Sequence, residues 1–264
     1  MKFLVLLLLA ATGLALAETP PVRIILVGDS TMAEKSGWGP GFCGEVVTSQ
    51  VTCLNMAKGG RSSSSYRQEG SWGQVMKVLK TPGDFAATYV LIQFGHNDQP
   101  GKPGRTTDLA TEFPVNIRRY VDEVTAAGAK AVLVTPLTRR SFRDGKVKDS
   151  LGLWADATRK VAVEAHVPVL ELNADSLAAM EKMGPVDANT LAMAPPPPQI
   201  AAAAASGNSL NAPKPDPNAM ERKGEAAPLF DYTHLGAKGS AYFAHMVARE
   251  LTAAVPTLQP YLKP

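Results

Sequence analysis

No uninterrupted apolar run in this sequence reaches the roughly 20 residues that a membrane-spanning helix requires, so no segment is predicted to cross a bilayer. The stretch that comes nearest, residues 3–11, follows Lys2 and precedes Ala15-Leu16-Ala17. A basic start, an apolar centre and a small-residue cut site read as an export signal over residues 1–17, so the protein is expected to be secreted or periplasmic, with no membrane attachment once the signal is cleaved. No cysteine lies near the cut to carry a lipid anchor. Charge is also scarce: charged residues make up 19% of the chain and sum to +3, with Lys2 among the positive ones. So small an excess excludes a nucleic acid or an anionic lipid surface held by bulk charge. No internal repeat is visible, which excludes solenoids and propellers. With 45% hydrophobic residues, residues 18–264 are expected to form a single domain, acting as a monomer.

Cysteine is limited to Cys43 and Cys53. An exported chain permits a disulfide between them. A helix descending from Cys43 and a strand climbing back through Cys53 bring the two to similar heights, but layer spacing decides whether their Cα atoms come within the ~7 Å that bonding allows. The pairing stays open at this point.

Short runs rich in Val, Ile and Leu recur at 22–27, 51–55, 89–94, 131–135 and 167–172, and segments of helical spacing lie at 42–49, 72–79, 109–127, 153–165 and 237–254. Apolar runs alternating with amphipathic segments predict an α/β protein, a three-layer α/β/α sandwich around a five-stranded parallel sheet. Ligands of open α/β sheets bind beyond the carboxyl ends of the strands, and the polar motifs of this chain sit there. Ser30 follows the first run, Lys58-Gly59-Gly60-Arg61 the second, Gly95-His96-Asn97-Asp98 the third, and Thr135-Pro136 with Arg139-Arg140 the fourth. Residues 185–228, with Pro195 to Pro198, Ala201 to Ala205 and further prolines, read as a disordered, solvated insertion.

Ser30 lies at a strand end, where a hydroxyl is exposed beside backbone amides; a serine capping a short helix is the plainer alternative. What favours chemistry is Asp231-Tyr232-Thr233-His234, just before the final helix. An aspartate three residues before a histidine can accept its Nδ1–H and leave Nε2 directed at a serine. An oxyanion needs donors aimed at one point, and the candidates are the Ser30 N–H, the Gly60 N–H and the Asn97 side-chain amide. Gly59-Gly60 equally suits a tight turn with positive φ.

With Ser30, Gly60, Asn97 and His234 in this order, the chain resembles the SGNH (GDSL) hydrolase superfamily. Gly-Asp-Ser-Thr-Met-Ala at 28–33, Gly37-Trp38-Gly39, Gly59-Gly60-Arg61-Ser62-Ser63, the run from Tyr66 to Trp72, Phe94-Gly95-His96-Asn97-Asp98 and Asp231-x-Thr233-His234 look like those of rhamnogalacturonan acetylesterases. The similarity covers most of residues 22–184 and 229–253. It implies a flavodoxin-like fold and removal of acetyl groups from a pectic polysaccharide without a metal or other cofactor. Ser30 would be the nucleophile, His234 the base and then the acid, Asp231 its orienter, and Gly60 and Asn97 oxyanion donors with the Ser30 N–H. The partner would be an acetylated acidic polysaccharide, whose uronic carboxylates Arg61, Arg139 and Arg140 are expected to engage.

Other readings are weaker. Gly39-Pro40-Gly41-Phe42-Cys43-Gly44 matches a nucleotide-binding GxGxxG but starts about ten residues after the first strand and carries a proline in the turn. A metallophosphoesterase could draw on Asp29, His96, Asp98, Asp231 and His234, though two histidines are few for a dinuclear site. A lipase, a thioesterase or an acetylesterase for another carbohydrate such as xylan would use the same serine. A binding protein on an esterase scaffold would have no need of a base.

Overall fold

All seven residues of β1, Val22–Gly28, are buried, and its alternate side chains face opposite layers: Ile24 and Leu26 join one core, Ile25 and Val27 the other. Burial on both faces is why this strand reads as a continuous apolar run and not as an alternation. In the computed structural model, which describes residues 19–212 and 229–263, β1 is an interior strand. It pairs in parallel with β2 (Val51–Asn55) and β3 (Ala87–Gln93), and β4 (Lys130–Val134) extends the sheet beyond β3. Two short strands, β5 (Phe142–Arg143) and β6 (Lys146–Val147), form a separate antiparallel hairpin. The fifth sheet strand, β7, spans only Val169–Leu170, giving the order β2-β1-β3-β4-β7.

Helices cover both faces. On one lie α1 (Gly39–Gly41), the π-helical turn Phe42–Val46 that continues it, α6 (Leu172–Asn189) and α8 (Ala237–Ala254). On the other lie α3 (Ser71–Lys80), α4 (Phe113–Ala126) and α5 (Gly152–Ala165), with the single turn α2 (Ser65–Gln68) ahead of them. The expected five-stranded parallel sandwich is therefore present, and the fifth strand is shorter than expected because Leu172 already opens α6.

The GxGxxG match serves packing. A Cβ on Gly41 would sit 2.8 Å from the Ser240 carbonyl oxygen, and one on Gly39 would sit 2.2 Å from that of Met32. Those glycines let α8 and the loop after β1 approach, and the Gly41 N–H donates to Ser240 Oγ at 3.0 Å. Cys43 and Cys53 are joined in a disulfide with their Cα atoms 5.4 Å apart, tying the π-helical turn to β2.

The expectation of disorder over 185–228 does not hold for 185–212. Helix α7 (Pro198–Ala205) starts with proline in its first turn, where no N–H is required, and buries Ile200 against Phe230 and Tyr232. Beyond it, Ser209 N–H donates to the Phe142 carbonyl and Gly145 N–H to that of Gly207, so the segment is pinned to the β5–β6 hairpin. Residues 213–228 and the expected export signal at 1–17 lie outside the described residues. Among the described residues no helix is long and apolar enough to cross a membrane.

Candidate active site

Where β1 ends, the chain turns sharply, and the turn is built by Asp29. Its Oδ1 accepts from the Thr31 N–H at 2.9 Å and from Thr31 Oγ1 at 2.8 Å, while its carbonyl accepts from the N–H groups of Met32 and Ala33. Gly28 permits the approach to β3, since a Cβ there would lie 2.6 Å from the Gln93 carbonyl oxygen. Gln93 locks the turn from below: its Nε2 donates to Thr31 Oγ1 at 2.5 Å, and its Oε1 accepts from Trp38 Nε1 at 2.9 Å. Ser30 rides on this hydrogen-bonded support.

The distant pair arrives beside it through one residue. Ser36 Oγ donates to the Ser30 carbonyl at 2.7 Å, and the Ser36 carbonyl accepts from the Leu235 N–H at 2.8 Å. Leu235 follows His234, so the Asp231–His234 segment is fastened to the loop that carries Ser30. Asp231 Oδ2 lies 2.6 Å from His234 Nδ1, and its Oδ1 accepts from the N–H groups of Thr233 and His234, each at 2.7 Å. Burial would raise the Asp231 pKa, but the hydrogen bonds and charge of His234 with the two backbone N–H groups outweigh it and hold it at about 2. The carboxylate is thus ionised, orients the imidazole and leaves Nε2 available to exchange a proton.

Arg140 corrects an expectation. Its side chain is fully buried and does not face ligand; Nη2 donates to the carbonyls of Asp231 at 2.9 Å and His234 at 2.8 Å, and Nη1 to that of Thr233 at 3.3 Å. The Arg140 N–H adds a bond to the Tyr232 carbonyl. Arg140 is therefore a positioning residue for the Asp231–His234 loop. Burial pulls its pKa down to about 10, with Asp231 opposing, so it stays charged at neutral pH.

The loops that carry Gly60 and Asn97 are tied to each other, and the first of them passes beside Ser30. Gly60 has φ 76°, the left-handed region that favours glycine, and a Cβ on Gly59 would come 3.8 Å from the Ser30 Cβ. Asn97 Nδ2 donates to the Arg61 carbonyl at 3.1 Å; an amide nitrogen carries two hydrogens, so one remains. The N–H groups of Ser30 and Gly60 make no hydrogen bond among the described residues. Asp98 anchors the loop after Gly60 by accepting from Ser63 N–H and Oγ and from Thr107 Oγ1. Burial raises the Asp98 pKa to about 6 against those bonds.

Of the remaining expected residues, Arg61 is engaged with Glu69 at 2.8 Å and with the Gly59 carbonyl at 2.7 Å, bracing the loop of Gly59 and Gly60. Arg139 is half-buried, donating to Ser150 Oγ at 2.7 Å. The sequence reading missed Ser36, Gln93, Lys102 and Arg105; the last donates to the Gly60 carbonyl at 3.1 Å. The one available signal for Lys102 and Arg105 was their place in the polar loop after Asp98. The set drawn from Asp29, His96, Asp98, Asp231 and His234 does not converge: among the described residues no group of three or more such side chains could hold a metal ion. His96 is buried with Nδ1 3.5 Å from Asp29 Oδ2, and burial lowers its pKa against the attraction of Asp29.

Comparison with known proteins shows the family and the fold. The chain is similar to the rhamnogalacturonan acetylesterase RhgT of Bacillus subtilis, 36% identical over 179 residues that make up 65% of this chain and 73% of that protein. A rhamnogalacturonan acetylesterase of Emericella nidulans is 41% identical over 99 residues, 37% of this chain and 36% of that one. Among solved structures, the Bacillus subtilis YxiM protein superposes with a TM-score of 0.64 at 21% identity, covering 88% of this chain and 56% of that one. The acetylxylan esterase Axe2 of Geobacillus stearothermophilus gives 0.55 at 14%, covering 87% and 93%. At those identities the structures speak for the fold. The sequence model of the GDSL-like lipase/acylhydrolase family matches residues 26–242, and this chain belongs to that family.

Proposed function

We propose that this protein is a serine esterase that removes O-acetyl groups from an acidic plant cell-wall polysaccharide, rhamnogalacturonan. The observation that carries the reading is the 2.6 Å Asp231–His234 contact fastened through Ser36 to the turn that bears Ser30. The names of the relatives supply the substrate class.

In this reading Ser30 Oγ attacks the acetyl carbonyl while His234 Nε2 takes its proton. Asp231 holds the imidazole in the required tautomer and stabilises the imidazolium. The tetrahedral oxyanion is met by the N–H groups of Ser30 and Gly60 and the second hydrogen of Asn97 Nδ2. The sugar oxygen leaves with the proton held by His234, giving acetyl-Ser30 and a free hydroxyl. Water, deprotonated by His234, then attacks the acetyl group; Ser30 recovers its proton and acetate departs. Export through residues 1–17 belongs to the same reading, and the Cys43–Cys53 disulfide fits an oxidising compartment.

Acetate release from acetylated rhamnogalacturonan, from acetylated xylan and from p-nitrophenyl esters of increasing chain length is the test. Preference for the pectic polymer and loss of release in Ser30→Ala support the reading. A preference for long-chain esters overturns the substrate, and full release by Ser30→Ala overturns the mechanism.

A further inference from the structure

Three cations stand around the Ser30 site, and among the described residues none of them has a carboxylate at ion-pairing distance. Arg105 Nη1 donates to the Gly60 carbonyl at 3.1 Å and lies 3.5 Å from Asn97 Oδ1, which sets its guanidinium against both loops of the oxyanion edge. Lys102 is held on the same tight turn: its carbonyl accepts from the N–H groups of Arg105 and Thr106, each at 2.9 Å, and its own N–H donates to Thr106 Oγ1 at 3.1 Å. Arg139 enters from the end of β4, donates one bond to Ser150 Oγ at 2.7 Å, and interacts electrostatically with both Asp29 and Asp231. All three are half-buried.

Five other arginines differ in having an acidic partner, whereas the fully buried Arg140 bonds backbone carbonyls and Arg23 bonds Thr88 Oγ1. Arg61 pairs with Glu69, Arg67 and Arg119 with Glu123, Arg118 with Asp122, and Arg159 with Asp156 and Glu171. Among the described residues no carboxylate forms an ion pair with Lys102, Arg105 or Arg139, and the ammonium of Lys102 makes no hydrogen bond. The three also sense one another: after burial, the charges of Arg139 and Arg105 lower the Lys102 pKa. Like charges gathered in partial burial without an ion-paired acid are stabilised by an incoming anion, and a planar guanidinium meets a carboxylate through two parallel bonds.

We propose that Lys102, Arg105 and Arg139 form a carboxylate-binding site that takes a uronate group of the polysaccharide chain lying across Ser30. This rests on the acetylesterase reading above and deepens it by assigning the acidity of the substrate to named residues. Arg140 is excluded by its burial, and Arg61 by its engagement with Glu69. Arg105 has a second consequence: the guanidinium that holds the uronate also holds the Gly60 carbonyl and faces Asn97, so binding the acid end of the sugar orders the oxyanion donors.

The test compares kcat/KM for acetate release from acetylated rhamnogalacturonan and from the same polymer after reduction of its carboxyl groups to alcohols, for wild type, Lys102→Gln and Arg139→Gln. The wild type is expected to prefer the acidic polymer about tenfold, with several-fold loss of that preference in each variant, as removal of a charge-assisted contact implies. Raising salt to about 0.5 M is expected to erode the wild-type preference. Because Lys102 lies on a surface turn, Lys102→Gln decides the matter if Arg139→Gln does not fold. A calorimetric titration of wild type and Lys102→Gln with unacetylated oligogalacturonate reads the same site without turnover, with weaker binding expected in the variant. A preference and a binding constant unmoved by Lys102→Gln overturn the site and leave the esterase reading standing. Failure of the wild type to release acetate from either polymer overturns both.

Discussion

Ser36 Oγ donates to the carbonyl of Ser30 at 2.7 Å, and the same residue's carbonyl accepts from Leu235, next to His234. One small residue, through its side chain on one side and its backbone carbonyl on the other, thus joins two segments about two hundred residues apart in sequence and helps fix where His234 stands relative to Ser30. Catalysis by a serine and a histidine depends on that separation more than on either residue's intrinsic reactivity.

Replacing Ser36 by alanine is therefore expected to lower kcat about 10- to 100-fold while KM changes little, because a reacting pair held slightly out of place loses rate out of proportion to the bond removed. Ser36→Thr retains the hydroxyl and is expected to recover most of the loss. Steady-state kinetics on p-nitrophenyl acetate, with melting temperatures as a control for folding, check this.

Arg140 donates to three carbonyls of the Asp231–His234 segment from a fully buried position. Arg140→Met is expected to cost about 3 kcal/mol of stability, since it removes three bonds and strands part-buried acceptors. Arg140→Lys retains charge but not the fork, so it is expected to restore little activity. Denaturant titration and activity of the two variants read this directly.

Glu250 on α8 supplies a pH prediction away from the site. Burial, and then the nearby charges of Asp175 and Glu171, raise its pKa to about 8. In the unfolded chain it ionises near 4.3, so between about 4 and 8 the folded state holds a proton that the unfolded state has lost. Stability therefore falls as pH rises through that window. Glu250→Gln is expected to raise the melting temperature at pH 8 to 9 and to change it little at pH 4, as measured by thermal unfolding across that range.

The Cys43–Cys53 bridge closes a loop of sequence separation 10 between the π-helical turn and β2. Cys43→Ser with Cys53→Ser is expected to lose ~2–3 kcal/mol, the entropy of a short closed loop. Urea unfolding of the oxidised, reduced and doubly substituted proteins measures it.

Much of this architecture was legible because it rests on local periodicity. All five sheet strands, the fifth shorter than its run, and the final helix follow from apolar runs and helical spacing, and Ser30, Gly60, Asn97, Asp231 and His234 fall at strand ends or a helix start. What the sequence concealed was set by long-range contact. Leu172 looks like the end of a strand until its neighbours place it in α6. The alanine-rich stretch after Pro197 looks unstructured until Ile200 meets Phe230 and Tyr232. Arg140 looked like a ligand-facing cation because its partners are backbone carbonyls more than ninety residues away, which no motif records.

The central claim is that Ser30 is the nucleophile and that His234, held by Asp231, activates it. Peptide mapping by mass spectrometry after reaction with a serine-directed fluorophosphonate tests it most directly. The account predicts a single adduct on Ser30, absent in Ser30→Ala and formed at least about a hundredfold more slowly in His234→Ala, in keeping with the worth of a general base. Labelling of another residue, or of Ser30 at an undiminished rate without His234, would contradict it.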